Sequence, residues 1–164
     1  MKDSLRPSNS ALVSVRRVED SDSGILLNWR NDPAVLKWSG TSRAVEESEH
    51  ETWFKNWMSE YSAKGNFHII ELGNTPVGMV RLDLREANSY EISVLVDPNF
   101  QGRGIAEIGI NLVFQKILDS ADYLIITAMI HTENSSSISL FQKLGFENLN
   151  VDGKFLQLRR RLHR

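Results

Sequence analysis

The sequence contains no cysteine. Disulfides, thiolate metal sites and a cysteine nucleophile are therefore excluded, and any acyl transfer must pass directly from donor to acceptor or use a hydroxyl. An excess of positive charge is also missing, because 19 basic residues face 21 acidic ones and the net charge is -2. This balance argues against a nucleic-acid partner. The longest apolar run, residues 124–130, is far too short to span a bilayer, so we expect no membrane partner.

The first ten residues lack the apolar stretch of a signal peptide. We therefore expect a cytoplasmic protein with a flexible tail over residues 1–10, followed by a single domain over residues 11–164. A metal site is not predicted. His50-Glu51 begins like a zinc-protease motif, but Phe54 occupies the position of the second histidine.

Hydrophobic periodicity and turn signals predict seven strands and four helices. The predicted strands are 11–18, 67–72, 76–84, 90–96, 123–130, 147–151 and 154–162. The first helix runs through Ile25–Trp29 and ends at Asn31-Asp32-Pro33, and the second is capped by Thr41 or Ser42. The third helix begins at Ile105, and Asn134 caps the fourth. This order predicts an α+β (mixed α/β) fold, with one mixed sheet covered by helices.

The run from Tyr123 to Ile130 is almost continuously apolar rather than alternating. Such a run is typical of a strand that is covered on both faces. Because a helix separates it from the strand before, we expect these two strands to pair in parallel.

A glycine-rich loop, QGRGIA at residues 101–106, joins a strand to a helix. This arrangement leaves unpaired backbone N–H groups beside the positive end of a helix dipole, and its glycines let an anion approach the backbone. A P-loop would need Lys and Ser or Thr after Gly104, and a dinucleotide fingerprint would need a small residue in place of Glu107. The loop therefore matches neither an ATP-binding P-loop nor the dinucleotide-binding motif.

The loop, with the preceding Val94–Pro98, resembles the acetyl-coenzyme A pyrophosphate loop of the GNAT N-acetyltransferase superfamily. The resemblance implies a GNAT fold and acetyl-CoA as co-substrate. It also implies a pyrophosphate site made by six residues, Gln101, Gly102, Arg103, Gly104, Ile105 and Ala106.

A second segment, NSSSISLFQKLGF at residues 134–146, resembles the other GNAT signature. In family terms Asn134 touches the pantetheine arm, while Leu95 and Val96 offer backbone groups to the pantetheine amides and the thioester oxygen. The resemblance also places Phe141 among the cofactor-binding residues, where many members have a Tyr that protonates the leaving thiolate. Met129 stands where related N-terminal acetyltransferases place a Glu. The usual acid and base are both absent.

Acylation of an amine still requires a group that takes the amine proton. Glu91, on the strand before the loop, and His131, at the end of the following strand, are the candidates for this catalytic role. Both positions are expected to face the cleft where the parallel strands separate.

The acceptor is usually selected by the first two helices of the family. Here the stretch from Trp29 to Pro33, with Trp38 and His50, resembles the subgroup that acetylates the 4-amino group of a UDP-linked amino sugar in pseudaminic acid biosynthesis. The predicted acceptor residues are Trp29, Arg30, Asn31, Trp38 and His50. Two alternatives remain open, a protein or ribosomal-protein N-terminal acetyltransferase and a catalytically silent acetyl-CoA binding module. The resemblance also suggests a homodimer.

Overall fold

A computed structural model describes residues 12–41, 43–61 and 66–164. Its sheet has seven strands in the spatial order β1-β2-β3-β4-β5-β7-β6. They are β1 (Val13–Arg17), β2 (Asn66–Leu72), β3 (Thr75–Glu86), β4 (Ser89–Val96), β5 (Tyr123–His131), β6 (Glu147–Asp152) and β7 (Phe155–His163). Neighbouring strands are antiparallel except β4 and β5, which are parallel. The predicted mixed sheet and fold class are confirmed, whereas the predicted tail over residues 1–10 lies outside the described residues.

The helices are α1 (Ser23–Asn31), α2 (Pro33–Leu36), α3 (Glu47–Tyr61), α4 (Ile105–Leu118) and α5 (Ser135–Lys143). The short α2 was not predicted. It exists because Asp32 accepts a hydrogen bond from the Ala34 N–H and Pro33 supplies a preset first turn, so the residues that end α1 also begin α2.

The predicted start of α3 was wrong. The helix begins at Glu47 rather than after Thr41, while Ser42 lies outside the described residues. The side chain of Asn31 explains the delay, because its amide donates to the Val45 carbonyl and its oxygen accepts from the Val45 N–H, both at 2.8 Å. These two bonds hold the segment before α3 in a non-helical path.

Two apolar clusters cover the two faces of the sheet. On one face α4 lies so close that a Cβ at Gly109 would be 2.6 Å from Cδ1 of Ile70. On the other face α1 and α3 pack on β2, and the indole of Trp57 meets the ring of Phe67 edge-on at 4.9 Å. No helix in the described ranges is long and apolar enough to cross a membrane.

Strand β5 pairs in parallel with β4, as predicted, but it is not covered on both faces. Its burial alternates, and Tyr123 and Met129 are 41% and 37% exposed. Pairing between β4 and β5 is confined to Ser89–Ile92 against Ile125–Ala128. Beyond these residues the strands separate, and the outward backbone groups of β4 up to Val96 are left without a strand partner among the described residues.

His68 on β2 makes stability dependent on pH. The side chain is buried, its Nδ1 has no hydrogen-bond partner in the described structure, and burial lowers its pKa to about 4, with smaller contributions from the charges of Lys116 and Arg17. The unfolded chain therefore binds a proton more readily than the folded chain between pH 6.5 and about 4. We expect the free energy of unfolding to fall by up to about 3 kcal/mol as the pH drops through this window.

Urea unfolding at pH 7, 5.5 and 4 measures this loss. In His68→Gln the fall should be much smaller, because a neutral amide takes up no proton. Asp22 supplies a separate acid dependence at lower pH: burial alone would raise its pKa, but hydrogen bonds from Arg16 and the Glu19 N–H hold the pKa below its usual range. An equal slope in the wild type and His68→Gln would contradict the assignment to His68.

Candidate active site

The loop between β4 and α4 presents bare backbone at the edge of the sheet. Gly102 and Gly104 adopt left-handed conformations with φ of +74° and +75°, and a Cβ at either position would meet nothing within 4 Å. The first hydrogen bond of α4 in this region joins the Ile108 N–H to the Gly104 carbonyl at 3.2 Å. The N–H groups of residues 105–107 therefore have no hydrogen-bond partner within the helix. They form the positive end of the helix dipole, and this end is a site for an anion.

Three hydrogen bonds fix the shape of the loop. The Gln101 side chain donates to the Val96 carbonyl at 3.0 Å, and Asp97 accepts from the Asn99 N–H at 2.8 Å. The second oxygen of Asp97 accepts from the indole Nε1 of Trp29 at 3.1 Å. The loop is thus tied both to the strand before it and to helix α1 on the other side of the sheet.

The loop borders a cavity of about 590 Å³, which we call the loop cleft. Its opposite wall is the start of α5, where Asn134 accepts a hydrogen bond from the Ser137 N–H at 3.2 Å. Eight of the predicted cofactor residues line it: Leu95, Val96, Gln101, Gly102, Gly104, Ile105, Ala106 and Asn134. The cleft combines exposed backbone N–H groups, a helix N-terminus and an extended wall. A ligand with a pyrophosphate and a long arm requires these three features.

Two predicted cofactor residues lie elsewhere. Arg103 is exposed on the outer side of the loop, where its guanidinium stands 5.2 Å from the ring centre of Phe100. Phe141 is 2% exposed and packs edge-on against Phe146 at 4.9 Å, so it belongs to the core and the structure does not bring it to the cleft. Leu140 lines the cleft in its place.

A second cavity, of about 320 Å³, lies on the opposite face of the sheet, and we call it the arginine cavity. Its lining residues come from α1, the segment before α3, α3 itself and strands β2 to β4. They are Leu26, Arg30, Val45, Glu49, His50, Trp53, Phe67, Met79, Arg81 and Leu95. Leu95 lines both cavities, so they adjoin at this residue, in the part of β4 that has no partner in β5.

Of the five predicted acceptor residues, only Arg30 and His50 line the arginine cavity. Trp29 is 4% exposed, and its indole donates a hydrogen bond to Asp97, so the structure does not bring it to the arginine cavity. Asn31 uses its side chain to hold Val45. Trp38 lines the loop cleft instead.

The two predicted base residues occupy different surroundings. Glu91 forms an ion pair with Arg85 at 3.1 Å and lines neither cavity. His131 lies beside the separation of the strands, with its ring 5.7 Å from that of Trp38. Its Nδ1 accepts the Glu133 N–H at 3.2 Å, which leaves Nε2 to carry the proton of the neutral ring.

Arg81, Glu49 and Met79 also line the arginine cavity and were not among the residues predicted from the sequence. The signal that could have found Arg81 is a pair of opposite charges, Arg81 and Asp83, on one face of a strand whose preceding residues 75–80 carry no charge. Among the described residues no group of three or more His, Asp or Glu side chains could hold a metal ion.

The mixed sheet, with a glycine loop where its two parallel strands separate, is the architecture of the GNAT fold. The chain belongs to this family, because the family model for the acetyltransferase (GNAT) domain matches residues 13–147.

Its curated relatives include an uncharacterised protein of Methanocaldococcus jannaschii, 29% identical over 82% of this chain. An uncharacterised N-acetyltransferase of the same archaeon is 27% identical over 67% of it. The chain spans only 28% and 51% of the lengths of these two proteins. A solved domain from M. jannaschii is 25% identical, covers 92% of this chain with 98% of its own, and superposes with a TM-score of 0.78.

Proposed function

We propose that the protein is an acetyl-CoA-dependent N-acetyltransferase that moves an acetyl group directly to a primary amine. The observation that carries the proposal is the meeting of the two cavities at Leu95. Acetyl-CoA supplies the acetyl group as a thioester. The amide bond forms as the carbon–sulfur bond breaks, and the amine proton passes to a base.

The binding role of the loop follows from its backbone. The N–H groups of residues 105–107 and the bare backbone at Gly102 and Gly104 receive the pyrophosphate, and the adjoining wall at Asn134 receives the arm. On the side of β4 that faces away from β3, no strand pairs with Val96, so its N–H can offer a main-chain hydrogen bond near the reacting carbonyl. The chain contains no thiol nucleophile, which supports direct transfer from the coenzyme to the amine.

His50 is a better candidate for the base than either residue predicted from the sequence. Its Nε2 lies 2.9 Å from the Ser23 carbonyl, which can only accept, so Nε2 carries the proton and Nδ1 keeps a free lone pair. His131 has the opposite arrangement, since its Nδ1 lone pair already accepts the Glu133 N–H. His50 also lines the arginine cavity, together with the charged groups of Arg30, Glu49 and Arg81.

We therefore expect His50→Gln to lower kcat/KM about 100-fold. Gln retains a donor for the Ser23 carbonyl, so the helix packing is preserved. Glu91→Gln and His131→Gln are the matched comparisons and should keep kcat/KM close to the wild-type value. A large loss in either of these, and not in His50→Gln, would return the role to Glu91 or His131.

For the acceptor, we propose the 4-amino group of a UDP-linked amino sugar. The resemblance around residues 29–33 supports it, as does the presence of Arg30 in the arginine cavity, where a guanidinium can bind phosphate oxygens. The rival N-terminal acetyltransferase would be expected to have an acidic groove for a peptide terminus. The arginine cavity has two arginines and one glutamate among its lining residues, which disfavours a cationic acceptor.

The test is to incubate the protein with acetyl-CoA and a panel of UDP-4-amino sugars, dipeptides and polyamines while following free thiol. Thiol release with amino sugars alone is the expected result. Release with dipeptides alone would favour the N-terminal acetyltransferase. Binding of acetyl-CoA without thiol release from any amine would overturn the proposed activity and favour the silent module.

A further inference from the structure

Arg30 carries a half-buried positive charge that nothing in the described structure neutralises. Its Nη1 is buried without a hydrogen-bond partner, and its Nη2 reaches only the Thr41 hydroxyl, at 3.5 Å. Burial lowers the pKa of the guanidinium, and the charge of Arg81 lowers it further. Because a desolvated and unpaired cation destabilises a fold, this arrangement indicates that Arg30 has a partner supplied from outside the chain.

The other charged groups around the cavity do not balance Arg30. Glu49 is engaged by Arg43, with two N–O distances of 3.0 and 3.2 Å. Asp83 is engaged by Arg81, whose Nε and Nη2 both donate to the same carboxylate oxygen at 3.0 and 2.9 Å. Arg81 itself is held over the Trp53 ring, with its guanidinium carbon 5.1 Å from the ring centre. The cavity is therefore a preorganised site with one net positive charge near Arg30.

We infer that the acceptor is a primary amine that also carries an anionic group, a carboxylate or a phosphate, and that Arg30 and Arg81 bind this group in the arginine cavity. This inference rests on the proposed acetyltransferase function. The anion fixes one end of the acceptor, and its amine reaches the junction of the cavities at Leu95. A guanidinium presents a planar fork of donors that suits either anion.

The same arrangement selects against polyamines. A polycation placed beside Arg30 would face its unbalanced positive charge in a partly desolvated space, where repulsion is stronger than in water. An acceptor without an anionic group would leave the charge of Arg30 without a counter-charge. An amine with an anionic group supplies both an acceptor for the Arg30 Nη1 and the missing negative charge.

The first test compares matched pairs of amines that differ in the presence of one anionic group. Glycine is compared with glycinamide, and O-phosphoethanolamine with ethanolamine, each with saturating acetyl-CoA and thiol release as readout. We expect the anionic member of at least one pair to have a kcat/KM about 10 to 100 times that of its neutral partner, as charge-assisted hydrogen bonds provide. The pair with the larger ratio distinguishes a carboxylate from a phosphate. Equal or reversed ratios in both pairs would overturn the inference.

The second test replaces Arg30 by Met, which keeps an unbranched apolar stem and removes the guanidinium charge. We expect Arg30→Met to reduce kcat/KM for the anionic amine about 10 to 100-fold and to change that for the neutral amine less than about 3-fold. Its thermal stability should equal or exceed that of the wild type, since an unpaired and partly desolvated charge is lost. Arg161→Met, on an exposed part of β7, is the control for a simple change in net charge. Equal losses for both amines would show a structural role instead.

A third measurement separates this inference from the proposed activity. With coenzyme A saturating the loop cleft, inorganic phosphate should raise the Tm of the wild type above that in chloride of equal ionic strength, and should not do so in Arg30→Met. If no amine is turned over but this difference is found, the activity is wrong and the anion site stands. If amines are turned over, but phosphate causes no such difference in Tm and anionic amines are not preferred, the anion site is wrong and the activity stands. If Arg30→Met does not fold, Arg30→Lys takes its place. The existence of the anion site is then decided by this variant and by the ratios of kcat/KM that the wild type gives with the matched pairs of amines.

Discussion

Replacing Gly104 by Ala is expected to raise the dissociation constant for acetyl-CoA by a factor of about 10 to 100, equivalent to about 1.4 to 2.8 kcal/mol. The added Cβ would stand on the bare backbone at the start of α4, in the open space that the phosphates need. It would also strain the left-handed backbone at φ +75°. Calorimetric titration with acetyl-CoA measures the effect directly.

Gly153→Ala is the matched control for backbone strain. Gly153 is also left-handed, with φ +59° and open space for a Cβ, but it lies in the turn between β6 and β7. Both variants should lose similar stability, whereas only Gly104→Ala should lose affinity. Similar affinities for acetyl-CoA in the two variants would show that the loop does not contact the phosphates.

Replacing Gly78 by Ala is expected to destabilise the protein by about 3 kcal/mol, because the new methyl group would overpack the sheet. Its Cβ would lie 2.5 Å from the Leu95 carbonyl oxygen and 3.2 Å from the Val96 Cα, and these backbone atoms cannot move aside as a side chain could. The Tm should fall by roughly 6 to 12 °C. Because Leu95 lines both cavities, the KM values for acetyl-CoA and for the amine should rise together.

Gly24→Ala controls for the addition of a methyl group. Gly24 lies in α1, and a Cβ there would meet nothing within 4 Å. Ala favours helix over Gly by about 1 kcal/mol, so this variant should be at least as stable as the wild type. A loss in Gly24→Ala as large as that in Gly78→Ala would refute the close-approach argument.

The fold was predictable because its signals are local. Glycine turns at Gly73 and near Gly153, the capping residue Asn134 and alternating apolar residues each mark a strand or helix within a few neighbouring positions. The start of α3 was not predictable in this way. It depends on Asn31, fourteen positions from Val45, and no local pattern reports that contact.

The loop cleft and the arginine cavity also differ in how far apart their lining residues lie in the sequence. The loop cleft is built largely from two continuous segments, residues 94–107 and 133–140, so two motifs contain most of it. The arginine cavity collects residues from α1, α3 and three strands. Arg81 reaches it only through the pairing of β3 with its neighbours, and the burial of Trp29 depends on a partner 68 positions away. The position of Arg81 and the burial of Trp29 are therefore set by tertiary contacts, which no local sequence pattern reports.

The hydrogen bond between Trp29 and Asp97 connects the glycine loop to helix α1 across the sheet. Asp97 opens the glycine loop, and Trp29 immediately precedes Arg30 on α1. If the loop moves when it binds a ligand, this bond carries the movement to the helix that holds Arg30. The two ligands are then thermodynamically linked, and whatever factor the first adds to the affinity of the second, the second must return to the first.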